Sequence, residues 1–91
     1  MRVLIVEDDK KIGGFIQQGF RQEGGFVELL EDGAEALEIL KSSPFDLIIL
    51  DRMIPSLDGL SVLKRIRELK ISTPTIILSA QSALKERVEG R

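Results

Sequence analysis

Three short runs, Val3-Leu4-Ile5-Val6, Leu47-Ile48-Ile49-Leu50 and Thr75-Ile76-Ile77-Leu78, constrain this chain more than any other feature. They are nearly continuous in apolar residues and rich in β-branched ones. Strands covered on both faces read that way, as in the middle of a parallel sheet. A fourth segment, Phe26-Val27-Glu28-Leu29-Leu30, is interrupted by a charge and suits an edge strand. Between these runs the apolar period changes to that of helices. Ile12, Phe15, Ile16 and Phe20 fall on one helical face after Asp9, a candidate N-cap. Gly13, Gly14 and Gly19 weaken that helix, each by up to about 1 kcal/mol. Asp32 followed by Glu35 resembles a capping box and opens a second helix with Leu37 and Leu40 inward. Asp58 caps a third, which carries Val62, Leu63, Ile66 and Leu69 inward, and a fourth starts near Ser82 with Leu84 and Val88 one turn apart. The order βαβαβαβα predicts an α/β fold, a doubly wound parallel sheet with right-handed crossovers.

Composition narrows the chemistry. Ninety-one residues make one small domain, here read as residues 1–91. With 13 basic against 15 acidic residues the net charge is −2, which argues against a nucleic-acid-binding surface on this piece. The basic residues Lys64, Arg65, Arg67 and Lys70 lie mostly opposite the apolar stripe of the third helix and read as a solvated face. Without cysteine there is no disulfide or thiolate metal site, and without histidine no zinc ligand, imidazole base or phosphohistidine of its own. No apolar run is long enough to span a bilayer, and no signal peptide precedes the first strand, so a cytoplasmic protein is expected.

The acidic residues sit where such a sheet binds ligands, at the carboxyl ends of its strands. Glu7, Asp8 and Asp9 follow the first strand and Asp51 closes the third. In the 2-1-3-4-5 strand order of flavodoxin-like folds, strands 1 and 3 are neighbours, so Asp8 and Asp51 would face one crevice. At about 5 Å and an effective dielectric near 20, each like-charge pair there costs on the order of 3 kcal/mol. A divalent cation removes that cost. Oxygen-only ligands, few carboxylates and room for water or a phosphoryl group suit Mg2+ better than Ca2+. Asp51 is then a candidate carboxylate nucleophile. Each acid alone could equally be a helix cap or turn former; the combination on one rim, with Ser79 after the fourth strand, is what carries the reading.

These residues resemble a known family. Val3 to Asp9 look like the first strand and acidic pair of bacterial response-regulator receivers. Asp46-Leu47-Ile48-Ile49-Leu50-Asp51-Arg52-Met53-Ile54-Pro55 with Leu57-Asp58-Gly59 is similar to their phosphoacceptor segment, and Thr73-Pro74 through Leu78-Ser79-Ala80 to their fourth strand and switch hydroxyl. The resemblance implies a flavodoxin-like receiver fold in which Asp51 is phosphorylated by a sensor histidine kinase. It implies that Glu7 and Asp8, with Asp51 and the backbone carbonyl of Met53, hold Mg2+. It implies that Ser79 hydrogen-bonds the phosphoryl group, that Ala80 leaves access beside it, and that Pro55 and Gly59 shape the loop. Asp9 is favoured as a cap over a ligand. The outcome would be a changed interaction surface controlling an effector, in this reading transcription through a winged-helix DNA-binding domain elsewhere in a parent protein.

The family pattern continues into a fifth strand, with a lysine that contacts the phosphoryl group and an aromatic switch residue, and then a fifth helix. The sequence stops at Arg91, and Lys85 belongs to the fourth helix. The expectation is a receiver truncated before the fifth strand, whose fourth strand is left as an apolar edge. A homodimer, an element swap or an edge-paired assembly would follow. Two other readings stand beside this one. A haloacid-dehalogenase-like phosphatase also uses an Asp after a parallel strand, but wants a second Asp where Met53 stands. A binding-only receiver-like fragment, not phosphorylated for want of the lysine, is the other.

Overall fold

The computed structural model describes residues 1–54 and 57–78. The expected fourth helix, Lys85, Pro55, Ser79 and Ala80 lie outside the described residues. The elements are β1 (Arg2–Val6), α1 (Lys10–Gln22), β2 (Phe26–Leu30), α2 (Gly33–Ser42), β3 (Leu47–Asp51), α3 (Gly59–Glu68) and β4 (Thr75–Leu78). All strand pairings are parallel and the sheet order is β2-β1-β3-β4. This is the parallel α/β sheet expected from the alternation, in the strand order that the resemblance implies, with β1 and β3 side by side and the charge-interrupted β2 at an edge.

Alternation along the strands divides the core between two faces. Leu4, Val6, Ile48 and Leu50 point toward α2 and α3, where Ala36, Leu37, Leu40, Val62 and Ile66 complete a buried cluster. Val3, Ile5, Val27 and Ile49 point the other way, with Ile16 and Phe20 of α1 packed against them. Side chains of both faces of β1 are fully buried, which is why its sequence contains no polar position between Val3 and Val6. Each such aliphatic group contributes about 1.5–3 kcal/mol.

Every described helix starts on an aspartate. The Asp9 carboxylate accepts from the Lys11 and Ile12 N–H groups at 2.9 and 3.3 Å. That of Asp32 accepts from Ala34 at 2.7 Å, and that of Asp58 from Ser61 at 2.8 Å. These bonds satisfy N–H groups that a helix cannot pair internally, and the negative charge suits the positive end of the helix dipole.

Two apolar assignments are corrected. The face drawn through Ile12, Phe15, Ile16 and Phe20 is split, because Phe15 is 80 % and Ile12 42 % exposed. α1 lies over β2 and β1, toward the edge of the sheet, so part of its apolar stripe overhangs. Leu69, expected inward on α3, is 39 % exposed because the helix has ended at Glu68 and Leu69 serves as its C-cap. Among the described residues no helix is long and apolar enough to cross a membrane.

Candidate functional site

β1 and β3 are paired in register from Val3 with Leu47 to Val6 with Leu50, so their carboxyl ends finish side by side. The next residues of β1 and the last of β3 are acidic, and the pairing therefore delivers Glu7, Asp8 and Asp51 to one place. One carboxylate oxygen from each lies within 4.8 Å of the other two. Glu7 is buried at 4 % exposure, Asp51 is half-buried and Asp8 is exposed. Among the described residues no cation lies within ion-pair distance of the three; the ion pairs formed there, Lys41–Glu38 and Arg65–Glu68, are on helix surfaces.

Backbone bonds lock the frame. The Glu7 N–H donates to the Leu30 carbonyl at 2.9 Å, extending the β1–β2 ladder past the end of the strand. The Asp9 N–H donates to Glu7 Oε2 at 3.1 Å and turns that carboxylate toward the crevice. On the other side the Arg52 N–H donates to the Leu78 carbonyl, and the Gly59 N–H to the Arg52 carbonyl, both at 2.8 Å.

Burial, and then the nearby Asp51 and Asp8 charges with a carboxyl–carboxyl hydrogen bond to Asp51, push the Glu7 carboxyl from its ordinary 4.5 up to about 7, against the Asp9 N–H that lowers it. Crowded anions resist ionising together. Asp58 shows the opposite behaviour: the hydrogen bond from the Ser61 N–H holds its carboxyl below the usual value, as befits a cap.

The arrangement is a small oxygen-donor pocket carrying excess negative charge. It fits a hard divalent cation, which would relieve the crowding, and the half-buried Asp51 lies at its rim. The sequence-predicted Glu7, Asp8 and Asp51 are brought together. Met53, expected to offer only its backbone carbonyl, turns its side chain to solvent at 74 % exposure. Asp9 is engaged as the α1 cap, as favoured. Ser79 lies outside the described residues. Reading the sequence did not single out Gly33, which opens α2 against the loop after β3; nothing but its place directly after the Asp32 cap could have marked it.

Comparison with known proteins supports the same assignment. The sequence pattern of the response regulator receiver domain matches residues 3–91. The transcriptional regulatory protein DltR of Streptococcus agalactiae serotype III (strain NEM316) is 44 % identical over 90 residues, covering 99 % of this chain and 40 % of DltR. The chain thus spans well under half the length of that relative. The receiver domain of the Francisella response regulator 1452 superposes with a TM-score of 0.85 at 43 % identity, covering 98 % of this chain and 74 % of that one. The response regulator TrrA of Thermotoga maritima, solved in complex with Mg2+ and beryllium fluoride, gives 0.81 at 35 % identity, covering 87 % and 69 %. With its fold, acidic crevice and sequence all pointing the same way, the chain belongs to the response regulator receiver domain family.

Proposed function

We propose that this chain is a phosphoacceptor signalling module in which Asp51 takes a phosphoryl group from a sensor histidine kinase. The observation that carries the reading is the convergence of the Glu7, Asp8 and Asp51 oxygens within 4.8 Å at the end of β1 and β3. In this reading an Asp51 carboxylate oxygen attacks the phosphorus of the partner's phosphohistidine. The new O–P bond forms as the P–N bond breaks, and the imidazole nitrogen keeps the electron pair and takes up a proton. These 91 residues contain no histidine, so the donor imidazole lies outside them.

Glu7, Asp8, Asp51 and the Met53 carbonyl would hold Mg2+, which supplies charge neutralisation at the phosphoryl oxygens. Glu7 and Asp8 bind; Asp51 both binds and reacts. The Ser79 hydroxyl donates to a phosphoryl oxygen. TrrA, at 35 % identity, was captured with Mg2+ and beryllium fluoride, which supports the same ligand chemistry here. The module does not turn over an external substrate. Its output is an altered surface controlling an effector in the cytoplasm, and the transcriptional role of DltR supports transcription as that output. β4 is, with β2, an outer strand of the sheet among the described residues, its Ile76 is 49 % exposed, and we include pairing of copies along it. A concentration-dependent increase in sedimentation would be seen, and a monomer throughout the micromolar range would refute that pairing.

The function is tested with acetyl phosphate. Wild-type chain should incorporate phosphate in the presence of Mg2+ and lose the capacity with a chelator or in Asp51→Asn. Incorporation that is indifferent to both changes would reject the reading, and none at all would favour a binding-only module.

A further inference from the structure

Redox chemistry has few places to start in this sequence. The 91 residues contain no cysteine, histidine, tryptophan or tyrosine, which leaves two methionines as the side chains that a mild oxidant attacks. Both are exposed, Met53 at 74 % and Met1 at 64 %. Their places in the fold differ. Met1 precedes β1, and its carbonyl accepts from the Phe26 N–H at 2.9 Å at the amino end of the sheet. The whole of β1 separates it from Glu7, a distance of roughly 20 Å. Met53 stands two residues after Asp51, so the two Cα atoms are within about 7 Å of each other. One oxidisable side chain thus lies beside the acidic crevice and the other at the opposite end of the sheet.

We propose, resting on the phosphoacceptor reading of Asp51, that Met53 is a modification site: its conversion to the sulfoxide by a peroxide shortens the life of the phosphoryl group on Asp51. In that step a lone pair of Met53 Sδ attacks one peroxide oxygen and an S–O bond forms. The O–O bond breaks, and the second oxygen leaves as water with both protons. Sulfur is oxidised by two electrons and the peroxide is reduced by two. A flexible apolar side chain becomes a polar, chiral one. An acyl phosphate is lost when water reaches its phosphorus. The thioether offers water little to hold, whereas the sulfoxide oxygen accepts hydrogen bonds and keeps ordered water at that rim. The Met53 carbonyl is untouched, so Mg2+ should be held as before. Oxidation of Met1 brings no such water to the crevice.

The test oxidises the chain with hydrogen peroxide and locates the added oxygen by mass spectrometry. The chain is then labelled at Asp51 with acetyl phosphate and Mg2+, the donor is removed, and the decay of the label is followed. Oxidised wild type should lose its label at least about threefold faster than untreated wild type. Its Mg2+ affinity by calorimetry should stay within about twofold. Met53→Leu keeps Met1 as its one oxidisable side chain, and treated and untreated samples of this variant should decay at one rate. The pair of methionine sulfoxide reductases, one for each epimer, should return oxidised wild type to the untreated rate. Unaltered decay in a chain that carries Met53 sulfoxide would overturn the proposal. So would a Met53 that stays a thioether while Met1 is oxidised, equal acceleration in Met53→Leu, or acceleration that outlasts repair of the sulfoxide. A parallel loss of Mg2+ affinity would overturn the route through water. A wild type never labelled at Asp51 would overturn the phosphoacceptor reading and the proposal with it, so the two failures are distinguishable.

Discussion

Replacing Glu7 by glutamine should make the metal-free protein more stable above neutral pH while removing its response to magnesium. Glu7 is almost wholly buried, and its carboxyl is raised from 4.5 to about 7 in the folded chain. In the unfolded chain it ionises near the ordinary value. Between those two values the native state therefore binds more protons than the unfolded state, and stability must fall as pH rises. The penalty is absent below about pH 4.5, grows through the interval and is complete above pH 7. At about 1.4 kcal/mol per pKa unit it amounts to roughly 3 kcal/mol, a large part of the 5–15 kcal/mol typical of a small domain. Glutamine keeps an oxygen to accept the Asp9 N–H and adds an amide donor toward Asp51, but cannot ionise. Urea unfolding of both proteins at pH 4 and pH 8, without metal, measures the difference directly. The variant should match wild type at pH 4 and exceed it by about 3 kcal/mol at pH 8. Adding Mg2+ at pH 8 should then raise wild type and leave the variant where it is. Equal stability at both pH values, or a variant less stable at pH 8, would refute the argument that carboxylate crowding strains this crevice.

Asp8→Asn should lose the Mg2+-induced rise in melting temperature that wild type shows at millimolar metal; an undiminished rise would remove Asp8 from the site. Asp9→Ala should cost about 1 kcal/mol through loss of the α1 cap yet keep the Mg2+ response, and loss of that response would make Asp9 a ligand after all. Phe15→Ser should change stability by less than about 0.5 kcal/mol, because the ring is exposed; a larger loss in thermal unfolding would show that it is covered in solution.

The sequence was most legible where local chemistry decides the outcome. Asp9, Asp32 and Asp58 are all N-caps, because a carboxylate ahead of a helical period has one strong local use. The uninterrupted runs at residues 3–6 and 47–50 became the two central strands, because the middle of a sheet tolerates no polar side chain on either face. From there the meeting of Glu7, Asp8 and Asp51 needed only the adjacency of β1 and β3. What a period cannot convey is how wide a surface the helix finds beneath it. Ile16 and Phe20 reach the sheet, while Ile12 and Phe15 continue the same stripe beyond the ground that β1 and β2 provide. The raised Glu7 carboxyl depends on burial and on distances that residue order does not encode. The resemblance marks Gly59 as shaping the loop, but how closely it brings α3 against the Asp51 carbonyl is a tertiary contact that residue order does not encode.

The central claim is that Asp51 carries the phosphoryl group, and an acyl phosphate has a chemistry that identifies its residue. Borohydride cleaves it reductively and leaves homoserine where the aspartate stood. After incubation with acetyl phosphate and Mg2+, peptide mapping should find homoserine at position 51 and unmodified aspartate at positions 8, 9, 32, 46 and 58. Homoserine at any of those five with Asp51 intact would contradict the account.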